Sequence, residues 1–416
     1  MNASRAFLLL VMFATTAIAQ DDLRDKVTKR DGKVLTGRVL NPAGTGEITL
    51  LQGGKRVKVA RADVETMATV GDNVREFCER RVRMRAAKKA QEFLVDWAVQ
   101  KNLPGLARLQ AMWLAIHEDT EEAHQFLGHK KGPKGWLWEH EGKWQTREQL
   151  DAALAQKPMT LVGERFSLKC DADLAVNVAA LLDLESLGVA FHARFGADLL
   201  LEENLKPMVI ESHRNGEEFP KWGFRPMPYY VPPPHGDVGH TFFSGPSPQR
   251  PQKLFFVGTQ ALLYHSLIGE VNRASDRDRV CAWLEIGLGM WFENTMQGDA
   301  GFAAPGELRA QDLQALQALG RDYRITHLLH LPMYSGFYLN DDTPTAINWS
   351  AATMFVAWLL QPDNQPKTRE PFLQFVRESL GEKKGDSSSV FDKCMGQRVE
   401  DMDEPWRAWL AKKAGY

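Results

Sequence analysis

The side chains of this chain that could hold a metal ion are histidines and carboxylates on apolar segments with helical spacing. His265 closes one such segment, and Glu285 and Glu293 lie on the next. A catalytic zinc ion takes three protein ligands and a water molecule, and hydrolysis also needs a base. Two ligands on one helix must stand one turn apart to reach the same ion. Four residues before His265 stands Ala261, whose methyl group cannot bind zinc.

Other histidines are weaker candidates for metal binding. His235 and His240 fall in a stretch that we interpret as a loop, and His327 and His330 stand at helical spacing. The chain contains no Gly-x-Ser-x-Gly, Walker loop, dinucleotide fingerprint or EF-hand loop. A catalytic pair of a cysteine and a distant histidine stays open, although no local signature supports it. We therefore expect no metal ion and no other cofactor.

Length and composition set the class of protein. The 416 residues are too many for one compact core and indicate two to four units. With 44% hydrophobic and 25% charged residues, the composition is typical of a globular protein. The formal net charge of −2 gives no overall field that would favour nucleic acid, so we expect no nucleic-acid partner.

The N-terminus has the pattern of a secretory signal peptide. Arg5 precedes an apolar run over 6–14, and Ala17-Ile18-Ala19 offers a cleavage site after Ala19. Residues 1–19 are therefore predicted to be removed on export to the periplasm or the extracellular space. The run is too short to span a bilayer, and we expect no later stretch to approach the ~20 apolar residues of a spanning helix, so we predict no transmembrane segment.

Four cysteines, Cys78, Cys170, Cys281 and Cys394, are spread along the chain. Export permits disulfides, and four cysteines allow three pairings. No Cys-x-x-Cys occurs, which argues against a zinc knuckle. Cys78 and Cys281 lie among apolar residues at helical spacing, which favours buried free thiols.

Periodicity predicts a multidomain α+β protein. Strand-like alternation with Asp31-Gly32 and Gly53-Gly54 turns predicts a small SH3-like β-barrel, and apolar residues at helical spacing follow it. The predicted units are the barrel over 25–68, a TPR-like helical pair over 72–128, a Trp-rich hairpin with a short helix over 129–157, and a last domain over 160–416. We divide the last domain into a sheet part over 160–257, ending in a strand at 254–257, and a helical part over 258–416.

Three tryptophans mark the hairpin. Trp136, Trp138 and Trp144 could stack on a sugar ring, or they could clamp a small motif that has little core of its own. Glycan binding would require a row of exposed indoles. We favour the clamp and do not expect a glycan partner.

The order of segments after residue 160 is distinctive. The segments are the strand Arg165-Phe166-Ser167-Leu168, a long helix that ends at Phe195-Gly196, the strand Met208-Val209-Ile210 and the strand end Tyr229-Tyr230-Val231-Pro232. This order resembles a family of exported bacterial proteins of unknown function in the peptidase MA-like (gluzincin) group. The resemblance runs from about 160 to 414, and the preceding small barrel and helical pair are also usual in the family.

The resemblance places a zinc-binding His-Glu-x-x-His motif on residues 261–265 of this chain, of which only His265 is retained. Leu262 stands at the position of the general base, and an isobutyl group cannot take a proton from water. The family's third-ligand position falls on Ile286, with Glu285 one residue early, or about 100° round the helix. Trp349 begins the segment that corresponds to the family's Tyr-Ala-x-Ala-Trp, and the tyrosine is lost there as well.

The resemblance therefore implies a zincin-like scaffold that has lost its chemistry. We call the corresponding positions the relic cleft: Ala261, Leu262, His265, Glu285, Ile286, Glu293 and Trp349. We expect no catalytic residue and no metal ligand among them. His265 is predicted to bond a carbonyl or a carboxylate, and the two glutamates are predicted to lie on a helix surface or a cleft wall.

The predicted function is that of an exported, non-catalytic pseudo-peptidase. Such a protein would bind peptide or protein in the relic cleft or serve a structural role in the cell envelope. The alternative is a zinc metallopeptidase with a non-standard metal site. Bound zinc, or its absence, separates the two.

Overall fold

The structure is a computed structural model, and it describes residues 24–84, 87–204, 206–217, 219–220, 227–232, 236–244, 250–267, 281–296, 323–338, 343–361, 367–380 and 387–414. The predicted signal peptide and His235 lie outside these residues. Within them the fold is mixed α+β, as the sequence predicts, with strands concentrated before residue 243 and helices after it.

The first sheet holds five short strands. They are β1 (Asp25–Lys29), β2 (Val34–Val39), β3 (Glu47–Gln52), β4 (Lys55–Ala60) and β5 (Val64–Ala68), in the antiparallel order β4-β3-β2-β1-β5. Gly32, Gly53 and Gly54 adopt positive φ in the predicted turns. The prediction of a small barrel is not met, because these strands form an open sheet, and the SH3-like character of the unit stays a prediction. The short 3-10 turn Arg61–Asp63 carries the chain from β4 to the opposite edge beside β1, and no β4–β5 ladder completes a ring among the described residues.

Four helices follow the sheet, where the sequence suggested one pair. They are α1 (Val70–Arg83), α2 (Lys88–Gln100), α3 (Pro104–His117) and α4 (Glu121–Leu127). The Thr69 hydroxyl oxygen accepts a hydrogen bond from the backbone N–H of Asp72 and so caps the N-terminus of α1. Pro104 begins α3, where its missing N–H costs nothing. Whether these helices form a TPR-like unit stays a prediction.

The Trp-rich hairpin is a three-stranded meander with a helix. Its elements are β6 (Lys130–Gly132), β7 (Gly135–His140), β8 (Lys143–Gln145) and α5 (Arg147–Leu154). Trp138 is buried, and the Trp136 ring stacks on His124 with 4.6 Å between centroids. Only Trp144 is exposed, at 37%. The three indoles therefore do not form an exposed row for a sugar.

The central sheet is mixed. Its strands are β9 (Met159–Val162), β10 (Phe166–Cys170), β11 (Met208–His213), β12 (Tyr229–Val231) and β13 (Val238–Phe242), in the order β12-β13-β11-β10-β9. β10, β11 and β13 run parallel, and the two edge strands run antiparallel to them. The prediction that His240 lies in a loop is wrong, because it lies in β13. The prolines on either side of this segment favoured a loop, whereas parallel pairing with β11 stabilises a strand.

A long helix, α6 (Leu174–Leu199), packs on one face of this sheet and also contacts α1 and α3. The four N-terminal helices therefore pack on the rest of the chain, as expected for a unit that cannot bury its own face. By length and composition α6 could cross a membrane, contrary to the expectation that no such stretch exists. However, 67% of its apolar window is buried inside the protein, which is typical of a core helix.

The remaining helices form the predicted bundle. They are α7 (Leu254–Ser266), α8 (Ala282–Thr295), α9 (Ile325–Leu329), α10 (Met333–Phe337), α11 (Thr343–Leu360), α12 (Arg369–Leu380), α13 (Ser387–Met395) and α14 (Asp403–Ala414), with a 3-10 turn at Val399–Met402. The strand predicted at 254–257 is wrong, because these residues form the first turn of α7. A continuous apolar run does not distinguish a buried strand from a buried helix.

A buried ion pair of the last domain lies beside the first sheet, and the backbone of one of its members bonds that sheet. The Arg165 guanidinium lies 3.0 Å from the Glu203 carboxylate, and the Glu203 amide donates to the Leu40 carbonyl. Burial alone would raise the pKa of Glu203, but Arg165, followed by His192 and Arg38, holds it at about 2. The residues around Glu203 thus contact the first sheet through two hydrogen bonds, Glu203 N–H to the Leu40 carbonyl and Arg38 to the Asn204 carbonyl.

The structure shows no disulfide bond between any of the four cysteines. Burial raises the pKa of the Cys78 and Cys170 thiols to about 12. Such thiols remain protonated and unreactive at neutral pH.

Close packing of α8 against α11 leads to a first prediction. A Cβ on Gly287 would lie 2.6 Å from the Ala352 carbonyl oxygen, so Gly287→Ala should lower the free energy of unfolding by about 1–3 kcal/mol. Gly196→Ala is the control, since a Cβ there meets nothing within 4 Å in α6 and should add about 0.5–1 kcal/mol. Denaturant unfolding of both variants tests this; equal effects would show that the α8–α11 contact is not tight.

Candidate functional site

α7 carries the first three positions of the relic cleft, and it is buried almost throughout. Ala261 is 0% exposed and Leu262 is 1% exposed, so both side chains lie in the core. His265 stands one turn later, where the helix reaches the edge of the central sheet, and its side chain is 14% exposed. The helix therefore presents apolar atoms at the two positions where the resemblance predicts a ligand and a base.

His265 is held by residues of the sheet. Its Nε2 lies 2.6 Å from Asp237 Oδ1 and 3.2 Å from the hydroxyl of Tyr230. The Tyr230 hydroxyl donates to the same Asp237 oxygen at 2.5 Å. Asp237 adopts a positive φ of 59° between β12 and β13, which aims its carboxylate at the helix. The sequence analysis predicts that His265 bonds a carbonyl or a carboxylate, and its partner in the structure is the Asp237 carboxylate.

Glu285 and Glu293 lie inside the protein, so the prediction of surface or cleft-wall acids is wrong for both. They are 1% and 5% exposed, because α8 is apolar on every side and packs between other helices. The Glu285 carboxylate accepts a bond from the Tyr264 hydroxyl at 3.1 Å, so it faces α7 rather than away from it. Ile286, at the third-ligand position, is fully buried.

Glu293 holds the beginning of α7. Its Oε2 atom accepts hydrogen bonds from the backbone N–H groups of Phe255 and Phe256, with N–O distances of 2.9 and 3.1 Å. These amides are among the helix's first, which have no partner inside the helix and attract negative charge. Arg250 lies 3.7 Å from the other oxygen. Glu293 therefore serves as a cap supplied by a neighbouring helix.

Trp349 also has a packing role. Its indole N–H donates to the Phe337 carbonyl at 2.6 Å, and the Lys253 ammonium lies 3.7 Å from its ring centroid. These contacts connect α11 with α10 and with the residue before α7. The structure thus brings His265 beside Asp237 and Tyr230. The other residues of the relic cleft are buried and pack in the core.

A second cluster, which the sequence reading missed, lies on the central sheet. We call Glu211, His213 and His240 the sheet cluster; one ligand atom from each lies within 4.8 Å of the others. In the part of the chain that the structure describes, this is the one group of three His, Cys, Asp or Glu side chains that passes such a test for metal binding. The missed signal is Glu-x-His at a strand period of two.

The charges around the sheet cluster are mixed. The Lys169 ammonium lies 3.0 Å from Glu211 Oε1, and His240 Nδ1 lies 3.5 Å from Glu211 Oε2. Burial lowers the pKa of His240, against the opposing effect of Glu211. His240 is therefore neutral at neutral pH.

Comparison with known proteins gives no relative. No protein-family model, no curated protein and no solved structure matches this chain. The resemblance to the gluzincin group therefore stays a prediction, supported by the segments quoted above.

Proposed function

We propose that this protein is a non-catalytic pseudo-peptidase built on a zincin-like scaffold. One observation supports this most strongly: Ala261 and Leu262 are buried in the core, and the remaining His265 bonds Asp237. An ion at this place would find one imidazole, and that imidazole already has a carboxylate partner. The alternative, a peptidase with a non-standard site, would need two more ligands, and Glu285 already bonds Tyr264.

We further propose that the protein is exported and that it binds peptide or protein in the cell envelope at the accessible edge of the relic cleft, beside His265. The signal-peptide pattern supports export. His265 and the half-exposed Asp237 supply a polar rim where α7 meets the β12–β13 edge of the sheet. Backbone amides and carbonyls of a peptide are suitable partners for such a rim.

The test of the non-catalytic proposal is hydrolysis of a fluorogenic peptide library by the zinc-supplemented mature protein. We expect no cleavage above a zinc-containing blank, because Leu262 stands at the predicted base position and Ala261 and Ile286 stand at the predicted ligand positions. His265→Ala serves as the matched variant and should be equally inactive. Turnover that disappears in His265→Ala would establish the peptidase alternative.

Binding of the same library, measured by fluorescence polarisation, tests where on the protein the peptide binds. Asp237→Asn keeps the size of the side chain but removes the charge beside His265, and it should weaken binding. Lys134→Gln, on the distant meander, is the control. Binding that is equal in wild type and Asp237→Asn would place the peptide elsewhere.

A further inference from the structure

The sheet cluster has the composition of a metal site. Two imidazoles and one carboxylate are a donor set that proteins use for zinc and for related divalent transition metals. Strand register brings the three side chains together: Glu211 in β11 stands directly beside His240 in β13, and His213 follows two residues later. Because side chains in a strand alternate, all three project from the same face of the sheet.

That face is opposite the one on which α7 packs. A Cβ at Gly239, beside His240 in β13, would touch Val257 of α7 and Ile210 of β11, so these residues mark the inner face. The sheet cluster lies on the outer face, whereas the remaining histidine of the relic cleft, His265, lies where α7 meets Asp237 of the β12–β13 turn. The two places are therefore separate, and this inference does not depend on the proposed function.

The distances suit one ion. Ligands about 2.0–2.1 Å from a tetrahedral zinc ion stand about 3.3 Å from one another. His240 Nδ1 and Glu211 Oε2 are 3.5 Å apart, and no pair in the cluster exceeds 4.8 Å. The His213 and His240 rings are 5.9 Å apart with an interplanar angle of 29°. Small side-chain rotations would bring all three donors to one point.

His240 supplies an independent observation. His240 is only 9% exposed. Its Nδ1 atom is buried and makes no hydrogen bond among the described residues. A buried polar atom without such a bond is costly, and the Glu211 carboxylate lies 3.5 Å from this nitrogen. An ion between them would satisfy this nitrogen.

Aromatic rings enclose the cluster. Phe219 packs edge-on against His213 at 5.5 Å, and Tyr229 lies 5.1 Å from His240. Phe219 itself is buried. Apolar walls of this kind restrict water and fix the imidazole rings, as the surroundings of protein metal sites do.

We propose that Glu211, His213 and His240 bind one divalent transition-metal ion of the zinc type on the outer face of the central sheet. The three protein ligands leave a fourth position for water. Lys169 bonds the second Glu211 oxygen, so it orients the carboxylate and at the same time repels the ion.

The test is titration of the chelator-treated mature protein with Zn²⁺ by calorimetry. We expect about one ion per chain, with affinity lowered at least about tenfold in His240→Ala and in Glu211→Gln. Glu211→Gln keeps the shape of the side chain, so it remains informative if His240→Ala does not fold. Circular dichroism melting establishes that each variant is folded. His330→Ala, at an exposed histidine, and His265→Ala, in the relic cleft, should bind as wild type does.

Two more readouts distinguish a metal site from a packing role. Co²⁺ should give the visible absorption of a tetrahedral site, and Glu211→Gln should lose it. Lys169→Met should bind Zn²⁺ about fourfold more tightly, because one nearby positive charge is removed. No binding, or equal binding in wild type, His240→Ala and Glu211→Gln, would overturn the proposal. Equal or weaker affinity in Lys169→Met would also overturn it, since the ion would then lie away from Glu211.

Discussion

Arg165→Ala lowers the free energy of unfolding by about 3–5 kcal/mol, the largest effect that we expect from one side chain. Glu203 is buried, and removal of the guanidinium leaves its charge without its main partner. The cost comes from this uncompensated charge rather than from the attraction in the ion pair itself. Denaturant unfolding followed by circular dichroism measures the loss.

The double variant Arg165→Met/Glu203→Leu is the control. It removes both charges and fills similar volume, so it should recover most of the stability lost in Arg165→Ala. If the double variant is as unstable as the single one, the shape of these side chains, and not the isolated charge, explains the loss.

The same ion pair predicts a dependence on pH. The pKa of Glu203 falls from an ordinary 4.5 to about 2 on folding. The resulting stability, about 3 kcal/mol, is fully present above pH 4.5 and is lost as the pH falls toward 2. Glu203→Gln should flatten this part of the stability–pH curve, and an unchanged curve would show that other carboxylates cause the acid transition.

Leu262→Glu has the second largest expected effect, a loss of about 4 kcal/mol at pH 7. The position is 1% exposed, and a carboxyl group placed there would have its pKa raised by about 3 units through desolvation. In an active zinc peptidase a glutamate at this position faces the metal and water. The cost of the substitution therefore measures whether the position belongs to a cleft or to a core.

Leu262→Met is the matched control, since it preserves volume and should cost less than about 1.5 kcal/mol. Lowering the pH provides a second check. The introduced carboxyl group has a folded pKa above its unfolded one, so its penalty is full above the folded pKa and disappears below about pH 4. A Leu262→Glu variant as stable as wild type at pH 7 would show that the position is open to water.

Much of the fold could be predicted from the sequence. Asp31-Gly32 and Gly53-Gly54 mark the hairpins of the first sheet, and period-two alternation gives its strands. The closure of that sheet could not be predicted, because it depends on which edge β5 joins. The first turn of α7 was predicted as a strand for a similar reason. Its apolar residues fit both structures, and the decisive contact, the bond from Phe255 to Glu293, comes from a distant helix.

The site was predictable in part. One turn before His265, where a second ligand on the helix would stand, the sequence has an alanine, Ala261. The structure adds that this residue is buried in the core. The partner of His265 could not be predicted, because Asp237 reaches it through an uncommon backbone conformation in the β12–β13 turn. The sheet cluster was missed because strand pairing, which the sequence does not show, brings Glu211 beside His240.

Zinc content of the His240→Ala protein tests the central claim most directly. This variant removes one of the three proposed ligands on the sheet and leaves the relic cleft intact, so remaining zinc that depends on His265 would lie in the cleft. After dialysis against trace zinc, elemental analysis should find less than about a tenth of an equivalent per chain. Near one equivalent, lost on further substitution of His265 by alanine, would contradict the account and establish a metal site in the cleft.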